Sequence, residues 1–262
     1  MGQTNPCYRT YLAILEMFVI GQYVTVHGDV ISHVNISQVM VEDGGEYSCT
    51  AENRAGKVTH AARLNVYGLP YIRTIPKVTA VAGETLRLKC PVAGYPIEEI
   101  KWERSGRELP DNLRQKVLPD GTLVVSSVQK ESDTGTYTCW ARNKQGHSAR
   151  RSGDITVIVP PKISPFTADR DLHLGERTSF TCSVTRGDQP VRISWLKDGR
   201  PLGPSERVSI TNVDQFNSIL MIESLSPDHN GNYSCVASNP AAEISHMQQL
   251  VVHGNPPSRP RD

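Results

Sequence analysis

The residues of this 262-residue chain best placed for covalent chemistry are its six cysteines. Three of them close similar octets: EDGGEYSC ends at Cys49, SDTGTYTC at Cys139 and DHNGNYSC at Cys235. Cysteines in a repeated setting point to a disulfide framework. Two of the three have a cysteine about fifty residues upstream: Cys90 lies 49 residues before Cys139, and Cys182 lies 53 before Cys235. Cys49 has none at that distance. Aromatic residues keep the same register. Trp102 follows Cys90 by 12 residues and Trp195 follows Cys182 by 13, and a tyrosine stands two residues before each octet cysteine, at Tyr47, Tyr137 and Tyr233.

Other chemistries find no support. The chain has no H-E-x-x-H, no G-x-S-x-G and no phosphate-cradling glycine loop. Its eight histidines are scattered without metal-ligand spacing. The reading is therefore of a non-enzyme that needs no cofactor and no metal. With 28 Lys plus Arg against 27 Asp plus Glu, no net field draws in nucleic acid or an anionic membrane. No apolar run reaches the length that spans a bilayer. The longest, Tyr11 to Gly21, is interrupted by Glu16 and reads as a fold segment or a non-native start rather than a signal peptide.

The elements that must position these residues follow from the spacing. The octet cysteines are 90 and 96 residues apart, the length of one β-sandwich. In such a domain one disulfide crosses between two antiparallel sheets, a tryptophan packs against it, and the tyrosine hydroxyl bonds back to the backbone at a strand corner. A bridge closing a loop of about fifty residues contributes about 4 kcal/mol in the chain-entropy account. Strand alternation agrees: Leu86, Leu88 and Cys90 share a face, as do Leu123 and Val125, Thr178, Phe180 and Cys182, and Leu220 and Ile222. The expected fold is all-β, a tandem of sandwiches with the first truncated. The divisions are a non-sandwich head at 1–17, a truncated domain at 18–67 with strands D to G, complete domains at 68–158 and 159–254, and a linker or tail at 255–262. Counting back from Cys49 by the tryptophan interval lands on residues 9–12, where there is no tryptophan. Cys49 is therefore expected to be a free thiol, and so is Cys7, whose surroundings do not resemble a strand B; the alternative is a bridge between the two, 42 residues apart. Tyr8, Leu12, Leu15 and Val19 fall at helical spacing and could cover the first domain's bare sheet.

The run Cys90…Trp102…Cys139 with DTGTYTC resembles an immunoglobulin domain of the I-set type. The third repeat departs from the pattern, because His229 stands where the motif has Asp, which puts in doubt that position's usual pairing with a basic residue such as Arg207. More closely, YGLPYIR…AGETLRLKCPVAGYPIEEIKWER and VPPKISPF…GERTSFTCSVTRGDQPVRISWLKDG resemble successive domains of the arthropod Down syndrome cell adhesion molecule family: part of the fifth, then the sixth and the seventh. That resemblance implies an extracellular or cell-surface ectodomain without catalytic role. Its implied partner is an identical protein, met in trans, with other cell-surface proteins as further partners.

A recognition surface has to come from outward-facing residues. On strand E these are His33, Asn35 and Ser37 in the first repeat, Thr122, Val124 and Ser126 in the second, and Ile219, Met221 and Glu223 in the third. The third alone sets two large apolar groups side by side, next to Arg177, Ser179 and Thr181 of strand B. This is the candidate homophilic interface, with Arg177 expected to face Glu223 of a partner. Sequons at Asn35 and Asn232 are candidate glycan sites, and a sugar on Asn232 leaves the B–E sheet free. His229 reads as a solvated turn residue. Arg186-Gly187-Asp188 is a weak integrin-type motif, against which stands an ordinary turn. The alternatives are a receptor ectodomain binding a heterologous secreted or integrin partner, and a structural I-set array. Two cysteine pairs and two sequons disfavour the array.

Overall fold

The computed structural model describes residues 8–9, 18–169, 171–202 and 207–254. The chain divides into two compact units, residues 1–78, 85–127 and 134–155 in one, and 79–84, 128–133 and 156–262 in the other.

In the first repeat, β1 (Tyr8–Arg9), β2 (Phe18–Val24), β3 (Val30–Ile36), β4 (Gly45–Asn53) and β5 (Gly56–Leu64) make an antiparallel ribbon β2-β3 and a sheet β1-β4-β5. The ribbon turns at Thr25–Asp29, where Gly28 takes φ +87°. β1 corrects two expectations. Its residues pair antiparallel with β4, Tyr8 with Ser48 and Arg9 with Tyr47, so the segment ahead of residue 18 is not wholly foreign to the sandwich. Tyr8 and Val19 both lie in strands, which removes the helical spacing; Leu12 and Leu15 lie outside the described residues. At the corner before β4, Met40 N–H donates to the Asp43 carboxylate at 2.8 Å and Tyr47 Oη–H to the Asp43 carbonyl at 2.8 Å. Arg73, from beyond the first repeat, seals the same corner, donating to the carbonyls of Glu42 (2.6 Å) and Gly44 (2.8 Å).

The second repeat runs through β6 (Tyr71–Ile72), β7 (Val78–Val81), β8 (Leu86–Leu88), β9 (Val92–Ala93), β10 (Glu99–Arg104), β11 (Arg107–Leu109), β12 (Gln115–Val117), β13 (Leu123–Val125), the four-residue helix α1 (Lys130–Asp133), β14 (Gly135–Arg142) and β15 (Ser148–Ile158). Its sheets are β11-β10-β14-β15-β7 and β12-β13-β8. The Cys90–Cys139 bridge joins them with Cα atoms 6.0 Å apart. Trp102, Leu123, Val125, Tyr137 and Cys139 are all buried around it. The Trp102 indole donates to the Gly121 carbonyl at 2.8 Å, so its one polar group is satisfied inside the core. Alternation misjudges β13. Thr122 and Val124, expected to face outward, are buried, Val124 at 4%. Across the ladder Val124 stands between Arg87 and Lys116, whose aliphatic stems can cover an apolar neighbour while their charges stay in water.

The third repeat comprises β16 (Lys162–Ser164), β17 (Leu172–His173), β18 (Thr178–Arg186), β19 (Arg192–Lys197), β20 (Arg200–Pro201), β21 (Ser209–Asn212), β22 (Asn217–Ile222), β23 (Gly231–Ser238), β24 (Glu243–Leu250) and β25 (Val252–His253). Two four-stranded sheets, β16-β18-β22-β21 and β20-β19-β23-β24, face each other. Between them lie Phe180, Trp195, Leu220, Ile222, Tyr233 and the Cys182–Cys235 bridge, whose Cα atoms are 6.2 Å apart. Phe166 caps this core, with its ring 5.4 Å from that of Trp195.

Candidate recognition surface

Alternation along β18 and β22 decides which groups the sheet β16-β18-β22-β21 presents. Thr178, Phe180, Cys182 and Val184 point inward and are buried, as are Ser218, Leu220 and Ile222. The intervening residues face out. Ser179 pairs with Met221 and Thr181 with Ile219 on one side; on the other, Ser209 pairs with Met221 and Thr211 with Ile219. Ile219 and Met221 are thus half-buried apolar groups flanked on both sides by small hydroxyl residues, with Ser183 and Ser164 continuing the face toward β16. A face built this way is flat and low in charge, with the larger side chains at its centre, the layout of a patch that can be desolvated at little cost. The expected reciprocity at the margin changes. Arg177 and Glu223 meet within one chain, Nε to Oε2 at 3.8 Å, with side chains 64% and 70% exposed. Ser209 and Thr211 of the flanking strand β21 were not among the residues singled out in the sequence, although the Ser-Ile-Thr-Asn alternation could have marked them.

The other singled-out residues lie elsewhere. Asn35 is exposed on β3, opposite Val19. Asn232 is half-buried on β23, opposite Gln249, in the sheet facing away from the candidate surface. Tyr233 donates its hydroxyl to the His229 carbonyl at 3.0 Å. His229 is not solvated but buried at 3%, which corrects the turn reading. Its Nδ1 accepts the Ser226 N–H at 2.9 Å. It stands where Asp43 and Asp133 accept from Met40 and Gln129 at 2.8 and 2.7 Å. An unprotonated imidazole nitrogen so replaces a carboxylate oxygen at the same corner.

Two further corrections concern reactive groups. Cys49 is disulfide-bonded, so it is not a free thiol. β1 supplies a strand beside it that the spacing did not show: Tyr8 pairs with Ser48 and Arg9 with Tyr47. Cys7 lies outside the described residues. Asp188, of the Arg186-Gly187-Asp188 motif, does not present its carboxylate freely. It accepts from Lys130 Nζ at 2.6 Å and from the Val159 N–H at 2.9 Å. The Lys130 ammonium first, then the Val159 amide, holds this carboxyl below its ordinary range.

Comparison with known proteins follows the same outline. Residues 70–143 and 160–239 match the immunoglobulin domain family, and residues 21–66 the immunoglobulin I-set domain. Over 235 residues, 90% of this chain, the sequence is 68% identical to cell adhesion molecule Dscam2 of Drosophila melanogaster and covers 11% of that protein. It is 46% identical to the Homo sapiens cell adhesion molecule DSCAM over 246 residues, 93% of the chain and 12% of that protein. The chain therefore spans about a ninth of the length of these relatives. A crystal structure of the N-terminal eight immunoglobulin domains of Down syndrome cell adhesion molecule superposes with a TM-score of 0.88 at 44% identity, covering 93% of this chain and 32% of that one.

Proposed function

This chain belongs to the immunoglobulin domain family, and we propose that it serves as an extracellular recognition segment whose third repeat binds the same repeat of an identical chain in trans. The outward face of β16-β18-β22-β21 makes the contact. Similarity over nine-tenths of the chain to proteins named cell adhesion molecules supports the adhesion reading. The observation that carries the choice of surface is the pair Ile219 and Met221, half-buried and flanked on both neighbouring strands by serine and threonine. A two-fold contact requires one patch to complement itself. The exposed Arg177–Glu223 pair fits that demand: both charges sit at the same margin, an exposed pair of this kind is weakly held, and each can exchange its neighbour for the opposite charge on a second copy. A sugar on Asn232 would occupy the other sheet.

The test is sedimentation velocity of the chain over a concentration series. The unmodified chain self-associates, and Met221→Asp weakens this at least about 30-fold, the 2 kcal/mol or more that a central interface residue carries. Met221→Leu retains it. A chain that stays monomeric throughout, or a Met221→Asp variant that associates unchanged, refutes the assignment.

A further inference from the structure

The tripeptide Arg186-Gly187-Asp188 is absorbed by neither the recognition surface nor the core, yet its atoms are heavily committed. Asp188 Oδ1 accepts from Lys130 Nζ of α1 at 2.6 Å and Oδ2 accepts the Val159 N–H at 2.9 Å. The Asp188 N–H returns to the Val159 carbonyl at 3.0 Å. Asn239 Nδ2 bridges the two, donating to the carbonyls of Val159 (2.8 Å) and Asp188 (3.0 Å). Gly187 holds φ +141°, and a Cβ there would stand 2.9 Å from the Pro161 Cα, so only glycine lets the turn press this closely on the connecting segment. All of these groups lie in one compact unit.

We propose that Arg186-Gly187-Asp188 is a latch on the connection between the second and third repeats, with Asp188 as its clasp, Lys130 and the Val159 amide as its two catches, and Asn239 as a brace. The connection needs such a device. Val159 is followed by Pro160 and Pro161, which have no N–H to donate, so Val159 is the residue through which this stretch can be tied by both backbone groups. The latch uses both. Charge-assisted bonds on each carboxylate oxygen make the clasp stronger than a neutral turn would be. A receptor that reads the tripeptide has to reach the Asp carboxylate, and both of its oxygens are already bonded within the unit.

The experiment follows amide exchange at Val159 by NMR in the full chain. Asp188→Ala is expected to speed exchange there roughly tenfold, the factor one hydrogen bond is worth, while the amides of β18 and β22 keep their protection. Lys130→Met and Asp188→Asn each remove the ion pair but leave an acceptor for the Val159 amide. They should give equal, smaller accelerations that do not add when combined. If Asp188→Ala fails to fold, these two variants carry the test. In parallel, integrin-bearing cells are offered the immobilised chain with divalent cations, and attachment is expected to be the same for the chain and Asp188→Asn. Unchanged exchange at Val159 in all the variants overturns the latch. So does attachment that depends on cations and is lost in Asp188→Asn.

Discussion

Ser218 offers the sharpest test of how the third repeat is held together. Its side chain is fully buried on β22, directly behind the candidate surface, and its Oγ accepts the indole N–H of Trp195 at 3.0 Å; Trp195 itself is 4% exposed. The second repeat solves the same problem differently, giving Trp102 a backbone carbonyl. Ser218→Ala changes volume little but leaves a buried donor without an acceptor, which costs about 1–3 kcal/mol. For a domain of this size that lowers the melting midpoint by about 4–20 °C. The assay is hydrogen exchange against temperature, read on peptides from β18, β22 and β23, with peptides of the second repeat as internal reference. Replacing the donor isolates the cause. In a Trp195→Phe background no indole N–H remains, so adding Ser218→Ala should cost less than about 0.5 kcal/mol. A midpoint drop under about 2 °C for Ser218→Ala alone, or a full cost persisting in the Trp195→Phe background, refutes the reasoning.

Other outcomes follow from groups already described. Arg73→Ala removes both bonds to the corner of the first repeat; β4 and β5 should lose about 1.5–3 kcal/mol of protection in exchange experiments, with β18 and β23 unaffected. The Asp188 carboxyl lies below its unfolded value, so its contribution is present above the ordinary aspartate range and is lost only as pH falls through the lower folded value. Val159 protection should therefore persist through the ordinary aspartate range and disappear in stronger acid, and Lys130→Met should move that loss to higher pH. Maleimide labelling of the unreduced chain should leave Cys49, Cys90, Cys139, Cys182 and Cys235 unmodified, and modification of Cys49 would contradict its bonded state.

Much of this architecture is legible in the sequence because its signals are local or rigidly spaced. Cross-sheet disulfides fix separations of 49 and 53 residues, and a period of two assigns Leu220 inward and Met221 outward without reference to anything distant. What escapes depends on partners far along the chain. Val124 alternates outward, but whether it is wet depends on neighbouring strands, where it pairs with Arg87 and Lys116. Two residues at Tyr8–Arg9 carry no periodicity, and only their pairing with β4 makes them a strand. A tripeptide read locally gives residue types, while the character of Asp188 comes from Lys130, 58 positions earlier. His229 reads as polar and therefore wet; its burial reflects a corner that needs an acceptor and takes an imidazole nitrogen in place of a carboxylate.

The corner that opens each octet also bears on how the chain can be cut. In the second repeat Arg104 of β10 donates to the Thr134 carbonyl at 3.2 Å, and in the third Lys197 of β19 donates to the Asp228 carbonyl at 2.5 Å, so each of these corners is sealed from within its own repeat. In the first repeat the seal is Arg73, just past the Gly68-Leu69-Pro70 joint. A boundary drawn at residue 67 therefore passes between a lock and its key. The first repeat is a tenant of its neighbour's leading strand, and a fragment meant to isolate it has to carry residues to at least 73 or leave two carbonyls at the head of β4 to water.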